Sequence, residues 1–225
     1  MITVIVPTMW RGKEINVMLP QLNNHPLVGE IIIIDNAPES KVEETCKLSK
    51  VTYVTFGRNI FPSPSWNYGA ANAKYDKLLI INDDALFSLA LVDAIHDQIR
   101  EDIGTITLDP NNVYPSNESM TLLTERKPEH IKFTECRRLI VKAAIVIGIH
   151  RKSYVHIPEE LLIHFNDYFL FKICEVNKKQ NLTASGLEAR TEMSTTVREF
   201  PQITGKENMI YPGIFERYGI KDKTC

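Results

Sequence analysis

Along the chain, short runs of β-branched and aliphatic residues alternate with longer stretches whose apolar positions recur every three or four residues. The short runs are Ile2 to Val6 (ITVIV), ended by Pro7; Glu30 to Asp35 (EIIIID), ended by Asn36 and Ala37; Val51 to Phe56 (VTYVTF); and Lys77 to Ile81 (KLLII). Continuous apolar runs of this length predict strands buried on both faces. Between them, helical spacing predicts helices near residues 12–20, 40–48 and 65–74, and a further one from Leu89 to Arg100. Strands and helices in regular turn predict an α/β fold, Rossmann-like, with a mostly parallel central sheet flanked by helices.

The pattern continues through Ile103 to Leu108 (IGTITL), a fifth predicted strand, and then changes. Residues 109–135 are polar and rich in turn formers, with Asp109-Pro110-Asn111-Asn112 as the clearest break. Beyond it, residues 139–149 (LIVKAAIVIGI) predict another strand, Arg151 to Val155 a short helix, and Asn166 to Lys178 a helix. The tail from Asn181 has weak periodicity and is read as a strand, a loop and a short helix. Residues 1–225 are therefore read as a single domain, with residues 1–108 as one half and 109–225 as the other.

In an open parallel sheet, ligands bind where the strands end at their carboxyl side. The polar residues of the first half gather at such ends: Pro7, Thr8, Met9, Trp10 and Arg11 after the first strand, Asp35 and Asn36 after the second, Gly57, Arg58 and Asn59 after the third, and Asn82, Asp83 and Asp84 after the fourth. Adjacent carboxylates suit a diphosphate, because a hard divalent cation held by one or two of them neutralises the phosphate charge. Neighbouring side chains of an extended segment diverge, so Asp84 is assigned to the metal and Asp83 to the ribose or sugar. Asp35 is placed to accept from a base N–H or a ribose hydroxyl. Arg58 is placed for a phosphate, while Asn59, Asn67 and Gly69 would shape the loop and helix start. Taken singly these residues have simpler readings: Asn82-Asp83-Asp84 resembles a helix-capping turn, Asp35-Asn36 an ordinary turn, and Trp10 and Trp66 core or rim packing.

Together the motifs VIVPT, IIIIDN, WNYGAANA and LLIINDDA resemble the family 2 glycosyltransferases of the GT-A fold in order, spacing and strand context over residues 2–87. The likeness resumes at AAIVIGIHRKSYVHI and at HFNDYFLFKI, where Asn166-Asp167 stands in the place of the family's Glu-Asp. The resemblance implies a GT-A domain with a nucleotide-sugar half and an acceptor half. It further implies an inverting transfer from a nucleoside-diphosphate sugar, UDP-linked by preference, with Mn²⁺ or Mg²⁺ at Asp84. By the same match Asp167 is the general base; read alone it is a first-turn acid favoured by the helix dipole. The chain departs from the family in having N-D-D for D-x-D and no histidine in the late strand, where Glu192 is the candidate further metal ligand.

Composition narrows the partners. With 26 Lys+Arg against 28 Asp+Glu in 225 residues, the formal charge of −2 gives no global attraction to nucleic acid or anionic membrane. Cys46, Cys136, Cys174 and Cys225 form no metal-binding or redox motif, and no apolar run suits a membrane span, so a reduced, cytoplasmic setting is expected, that of the host if the chain is viral. The sequons at Asn117 and Asn181 are read as chance in that setting. A glycan is the expected acceptor; a modified nucleic-acid base is the alternative, for which Arg137, Arg138, Lys142, Arg151 and Lys152 would supply a basic rim. Rival functions are a non-catalytic nucleotide-sugar-binding module and a sugar-phosphate nucleotidyltransferase, the latter disfavoured by the single glycine of PTMWRGKE.

Overall fold

A computed structural model describes residues 1–37, 47–116, 127–138, 143–192 and 198–221. Its first half follows the predicted alternation: β1 (Ile2–Thr8), α1 (Glu14–Asn24), β2 (Val28–Asp35), β3 (Val51–Thr55), α2 (Pro62–Asn72) and β4 (Lys77–Ile81). After a two-residue β5 (Leu86–Phe87) come α3 (Ala90–Gln98), β6 (Ile103–Leu108), β7 (Val113–Pro115), β8 (Lys132–Glu135) and β9 (Val146–His150). The chain then forms α4 (Asn166–Val176), β10 (Gln180–Ser185), β11 (Ala189–Thr191) and α5 (Pro201–Arg217). The helix expected at 40–48 lies almost wholly outside the described residues, as does the start of the strand region 139–149.

Among the described residues the strands build an eight-stranded sheet, β3-β2-β1-β4-β9-β6-β10-β8, and a three-stranded one, β5-β11-β7. In the large sheet β1 runs parallel to β2 and β4, while β9 runs antiparallel to β4 and β6. Alternate side chains of each central strand serve opposite layers. Val4, Val6, Ile31 and Ile33 pack with Ile15, Leu19, Leu91 and Ile95 of α1 and α3. Ile5, Ile32 and Ile34 pack with Trp66, Phe169 and Phe215 of α2, α4 and α5. The absence of polar positions in these runs is thus the consequence of two covered faces.

The structure corrects several expectations. β1 does not end at Pro7 but continues to Thr8, opposite Asp35. Pro7 has no N–H to donate, and its backbone groups face the β4 side, where the pairing has already stopped at Ile5 opposite Ile80. The polar stretch 109–135 contains β7 and β8, which as short, largely exposed strands carry no apolar alternation. The tail helix is not short: α5 spans 17 residues although Gly205, Pro212 and Gly213 interrupt its sequence, because Thr204, Glu207, Ile214 and Phe215 are buried along one side. Arg151–Ser153 is a single 3₁₀ turn.

Candidate functional site

The chain winds outward from β1 through β2 to β3 and then returns to β4 on the other side of β1, so the order reverses between β1 and β4. There the strands part after Ile5, opening a crevice at their carboxyl ends. Two contacts span or flank it. Thr8 Oγ1 donates to Asp83 Oδ2 at 2.7 Å, and the Met9 N–H reaches the same oxygen at 3.2 Å. On the other flank, Asp84 Oδ2 accepts from Thr191 Oγ1 at 2.7 Å and from the Glu192 N–H at 3.0 Å.

The two aspartates sit on a turn closed by the Ala85 N–H on the Asn82 carbonyl, and they diverge as expected. Neither caps α3, whose N-cap is Leu89 with no side-chain bond, so the capping reading does not hold. Burial pushes the Asp83 carboxyl up to about 6, against the opposing bond from Thr8 and with the charge of Asp84 adding to the rise. Burial raises Asp84 as well, opposed by Thr191 and Glu192 and reinforced by Glu14.

Asp35 is wholly buried: Oδ1 accepts from the Ala37 N–H at 2.8 Å, and Oδ2 accepts from the Tyr53 hydroxyl. Asn36 ties the end of β2 to the α2 side, its Oδ1 accepting from the Ile60 N–H at 2.9 Å and its Nδ2 donating to Ser65 Oγ at 3.1 Å. Asn59 accepts from the Phe61 N–H and points its amide at Met9 Sδ, 3.8 Å away. Arg58 is exposed, and Arg11 pairs with Glu199, just before α5. Phe200 meets Phe61 edge to face at 5.3 Å, so residues 198–200 return to the rim formed by the β1 loop and the start of α2.

Asn67 has a different position from the one its motif suggested. Its Nδ2 donates to the Ile157 carbonyl at 2.9 Å, and its Oδ1 accepts from the Ile157 N–H and the Tyr154 hydroxyl. With both acceptor positions of the amide filled, it is a tie between α2 and residues 154–157. Gly69 lets the same helix lie on β1, where a Cβ would stand 2.5 Å from Ile5. Trp66 is core, at 3% exposure.

Asp167 lies in the first turn of α4, whose N-terminus faces the carboxyl end of the sheet because the helix runs back to the start of β10, parallel to β6. Its Oδ1 accepts from the Tyr168 N–H at 2.7 Å. Burial holds its carboxyl above the usual range, with Tyr168 and His164 acting against the rise. The approach to α4 is clamped by Glu207 of α5, 1% exposed, whose carboxylate accepts from the N–H groups of Leu162, Ile163 and His164 at 2.6, 2.9 and 2.7 Å.

Glu192 lies beside the acidic turn: its backbone N–H donates to Asp84 Oδ2, and the residue is exposed. The described residues expected to form a basic rim lie away from this crevice, at the other end of the sheet. His150 stands opposite Lys77 at the amino end of β4, placing Arg151 and Lys152 there, and Glu135 lies beside Leu182 near the start of β10, placing Arg137 and Arg138 at that same end. Lys142 is outside the described residues.

Four residues that sequence reasoning missed belong to this region. Thr191 and Tyr53 gave no signal, being unremarkable members of weak or ordinary runs. Gly12 was visible as the lone glycine after β1: a Cβ there would stand 2.9 Å from the Asp83 carbonyl and 3.0 Å from Asp84 Cα, so the loop lies directly on the acidic turn. Glu14 was visible only as the start of a predicted helix.

A divalent cation is compatible with this donor set. The acidic turn is partly buried and lies under Gly12, and no lysine or arginine bonds to Asp83 or Asp84 among the described residues. Those residues also hold no group of three His, Cys, Asp or Glu side chains spaced to cage a metal. Asp84 would hold the ion and Asp83 would support it, with substrate phosphates completing the coordination, as hard cations at phosphate sites commonly allow.

No protein-family model and no curated protein matches the sequence. Solved structures do share the fold. S. aureus TarS 1–349 superposes with a TM-score of 0.58 at 14% identity, over 90% of this chain and 62% of that one, and it has been seen with UDP and with UDP-GlcNAc. The mannosyltransferase PcManGT from Pyrobaculum calidifontis, in complex with GDP-Man and Mn²⁺, gives 0.58 at 13% identity over 86% and 57% of the two chains. GalNAc-T7, with UDP, GalNAc and Mn²⁺, gives 0.56 at 14% over 84% and 42%. The fold is that of GT-A glycosyltransferases, and the chain spans less than two thirds of the length of these structures.

Proposed function

We propose that this protein is a glycosyltransferase that moves a hexosyl or pentosyl group from a nucleoside-diphosphate sugar, UDP-linked by preference, to an acceptor hydroxyl with inversion. The observation that carries the reading is the partly buried Asp83-Asp84 turn, fastened on one side to Thr8 of β1 and on the other to Thr191 of β11 at the point where strand order reverses. That is where a nucleotide lies in open α/β sheets, and its diphosphate requires the cation for which Asp84 is suited.

Asp35 and Tyr53 border the base or ribose, Arg11 and Arg58 supply positive charge for phosphate, and Asp83 faces the ribose or sugar. Mn²⁺ or Mg²⁺ bound at Asp84 supplies charge neutralisation for the departing diphosphate. Asp167 acts as the general base: with Oδ1 held by the Tyr168 N–H, Oδ2 takes the proton of the acceptor hydroxyl as that oxygen attacks the anomeric carbon. A glycan is the acceptor this reading favours.

Thermal melting with Mn²⁺ and a panel of UDP-, GDP-, CDP- and TDP-sugars tests the donor site. One member of the panel is expected to raise the melting temperature, and the shift to vanish in Asp84→Asn. If no donor stabilises the wild type, the reading fails. Donor turnover that persists in Asp167→Ala would remove that residue from the mechanism; an absence of turnover in the wild type would leave a binding module.

A further inference from the structure

Helix α1 begins against the acidic turn. Gly12, packed on the backbone of Asp83 and Asp84, brings the loop down so that Glu14 opens the helix two residues later. α1 packs against β5, which starts two residues after Asp84. An acid in a first helical turn is common, since the helix dipole favours it, but such an acid ordinarily stands in water. Glu14 does not: it is 4% exposed, and its Oε2 has no hydrogen-bond partner among the described residues.

Withdrawing a carboxylate from water without a hydrogen-bond partner is unfavourable. Nothing cationic offsets it, for no lysine or arginine is bonded to Glu14, Asp83 or Asp84 among the described residues. The charge of Glu14 also reaches Asp84, whose carboxyl it helps to raise. Three acids are therefore gathered about one partly buried place. A divalent cation is attracted to all three.

We infer that Glu14 is a third carboxylate of the cation site, acting through its charge at the buried start of α1 beside the acidic turn. It is not a direct ligand, because no three acidic, histidine or cysteine side chains converge at metal-binding spacing among the described residues. Its contribution is charge: Glu14 adds a third negative group to those of Asp84 and Asp83, and so favours a divalent ion over a monovalent one. The inference rests on the cation-assisted reading above.

The test is Mn²⁺ binding in the presence of saturating UDP, and of GDP in parallel, read from the amplitude of the free Mn²⁺ electron paramagnetic resonance signal. Glu14→Gln keeps the shape and removes the charge. It is expected to melt no lower than the wild type without metal, and to bind Mn²⁺ about tenfold or more weakly, the usual cost of losing a group that acts through a metal's outer shell. Glu14→Asp, which retains the charge on a shorter arm, should lie between. If Asp84→Asn loses Mn²⁺ while Glu14→Gln binds as the wild type does, the inference is overturned and the donor reading survives. Should Glu14→Gln fail to fold, Glu14→Ala takes its place, and wild-type Mn²⁺ affinity there overturns the inference equally. A wild type that binds no Mn²⁺ with either nucleotide sinks the cation-assisted reading, and this inference with it.

Discussion

At the scale of single residues, Asp83 shows how a site is held at a cost to the protein that carries it. Its carboxyl titrates at about 6 in the folded chain against 3.8 in the open. A raised carboxyl favours folding most below 3.8, and that contribution is lost as pH rises through 3.8 to 6. The difference is worth at most about 3 kcal/mol, at about 1.4 kcal/mol per pH unit. Asp83→Asn is therefore expected to raise the metal-free melting temperature at pH 7.5, with little effect at pH 4, while abolishing donor binding. Melting curves at the two pH values decide it, and a variant less stable at pH 7.5 would show that the charge is not the cost. Asp167 adds a kinetic counterpart. Because burial raises its carboxyl, the acid limb of the transfer rate should lie above the ordinary carboxylate range, and Asp167→Asn should lose that limb with the rate while keeping the donor-induced thermal shift.

At the scale of elements, the site depends on backbone packing more than on helices or strands as such. Gly12 is the sharpest case. A methyl group there meets main-chain atoms of Asp83 and Asp84, which cannot swing aside as a flexible side chain would. Gly12→Ala is expected to leave the sheet folded but to push the loop off the acidic turn, weakening donor binding by more than its effect on melting would suggest; nucleotide titration beside a thermal melt separates the two. Glu207 makes the complementary case on α5. Removing its carboxylate in Glu207→Ala leaves three N–H groups, one buried and two partly buried, without their acceptor, so a loss of about 2–3 kcal/mol is expected in denaturant unfolding. The same comparison explains what the sequence disclosed. The β-branched runs ITVIV, IIIID and KLLII announced strands covered on both faces, and the polar residues after them announced the crevice. Where one side of an element is exposed, as in β8, or where Pro212 and Gly213 sit in a helix held by tertiary burial, the local pattern is silent. Asn67 differs for a related reason: its motif reads as a helix start, yet the residue lies inside α2, where Ile157 and Tyr154 take its side-chain amide. Thr191 and Glu192, more than a hundred residues from Asp84, could be joined to it only through the pairing of β11 with β5.

At the scale of the whole molecule, early and late segments meet at the acidic turn: β1 and the start of α1 on one side, Thr191 of β11 and Glu192 on the other. Arg11 paired with Glu199, and Phe61 against Phe200, bring the late segment back to the rim of the first half. Two non-glycine residues of that rim, Trp10 at φ 60° and Phe61 at φ 67°, hold left-handed backbone conformations that cost on the order of 1–3 kcal/mol each. A donor bound here with its cation engages both halves and relieves the repulsion among the acids, so it should stabilise the fold as a unit. For a ligand at a hundred times its dissociation constant, linkage gives about 2.7 kcal/mol. In a chain of this size that corresponds to roughly 5–10 °C in melting temperature. The nucleotide-sugar and the metal should each give much less alone than together, because each supplies the charge the other lacks. Melting with Mn²⁺, with the donor, and with both measures this directly. Shifts that simply add would mean that the two bind independently, and the acidic turn would then not be the place where they meet.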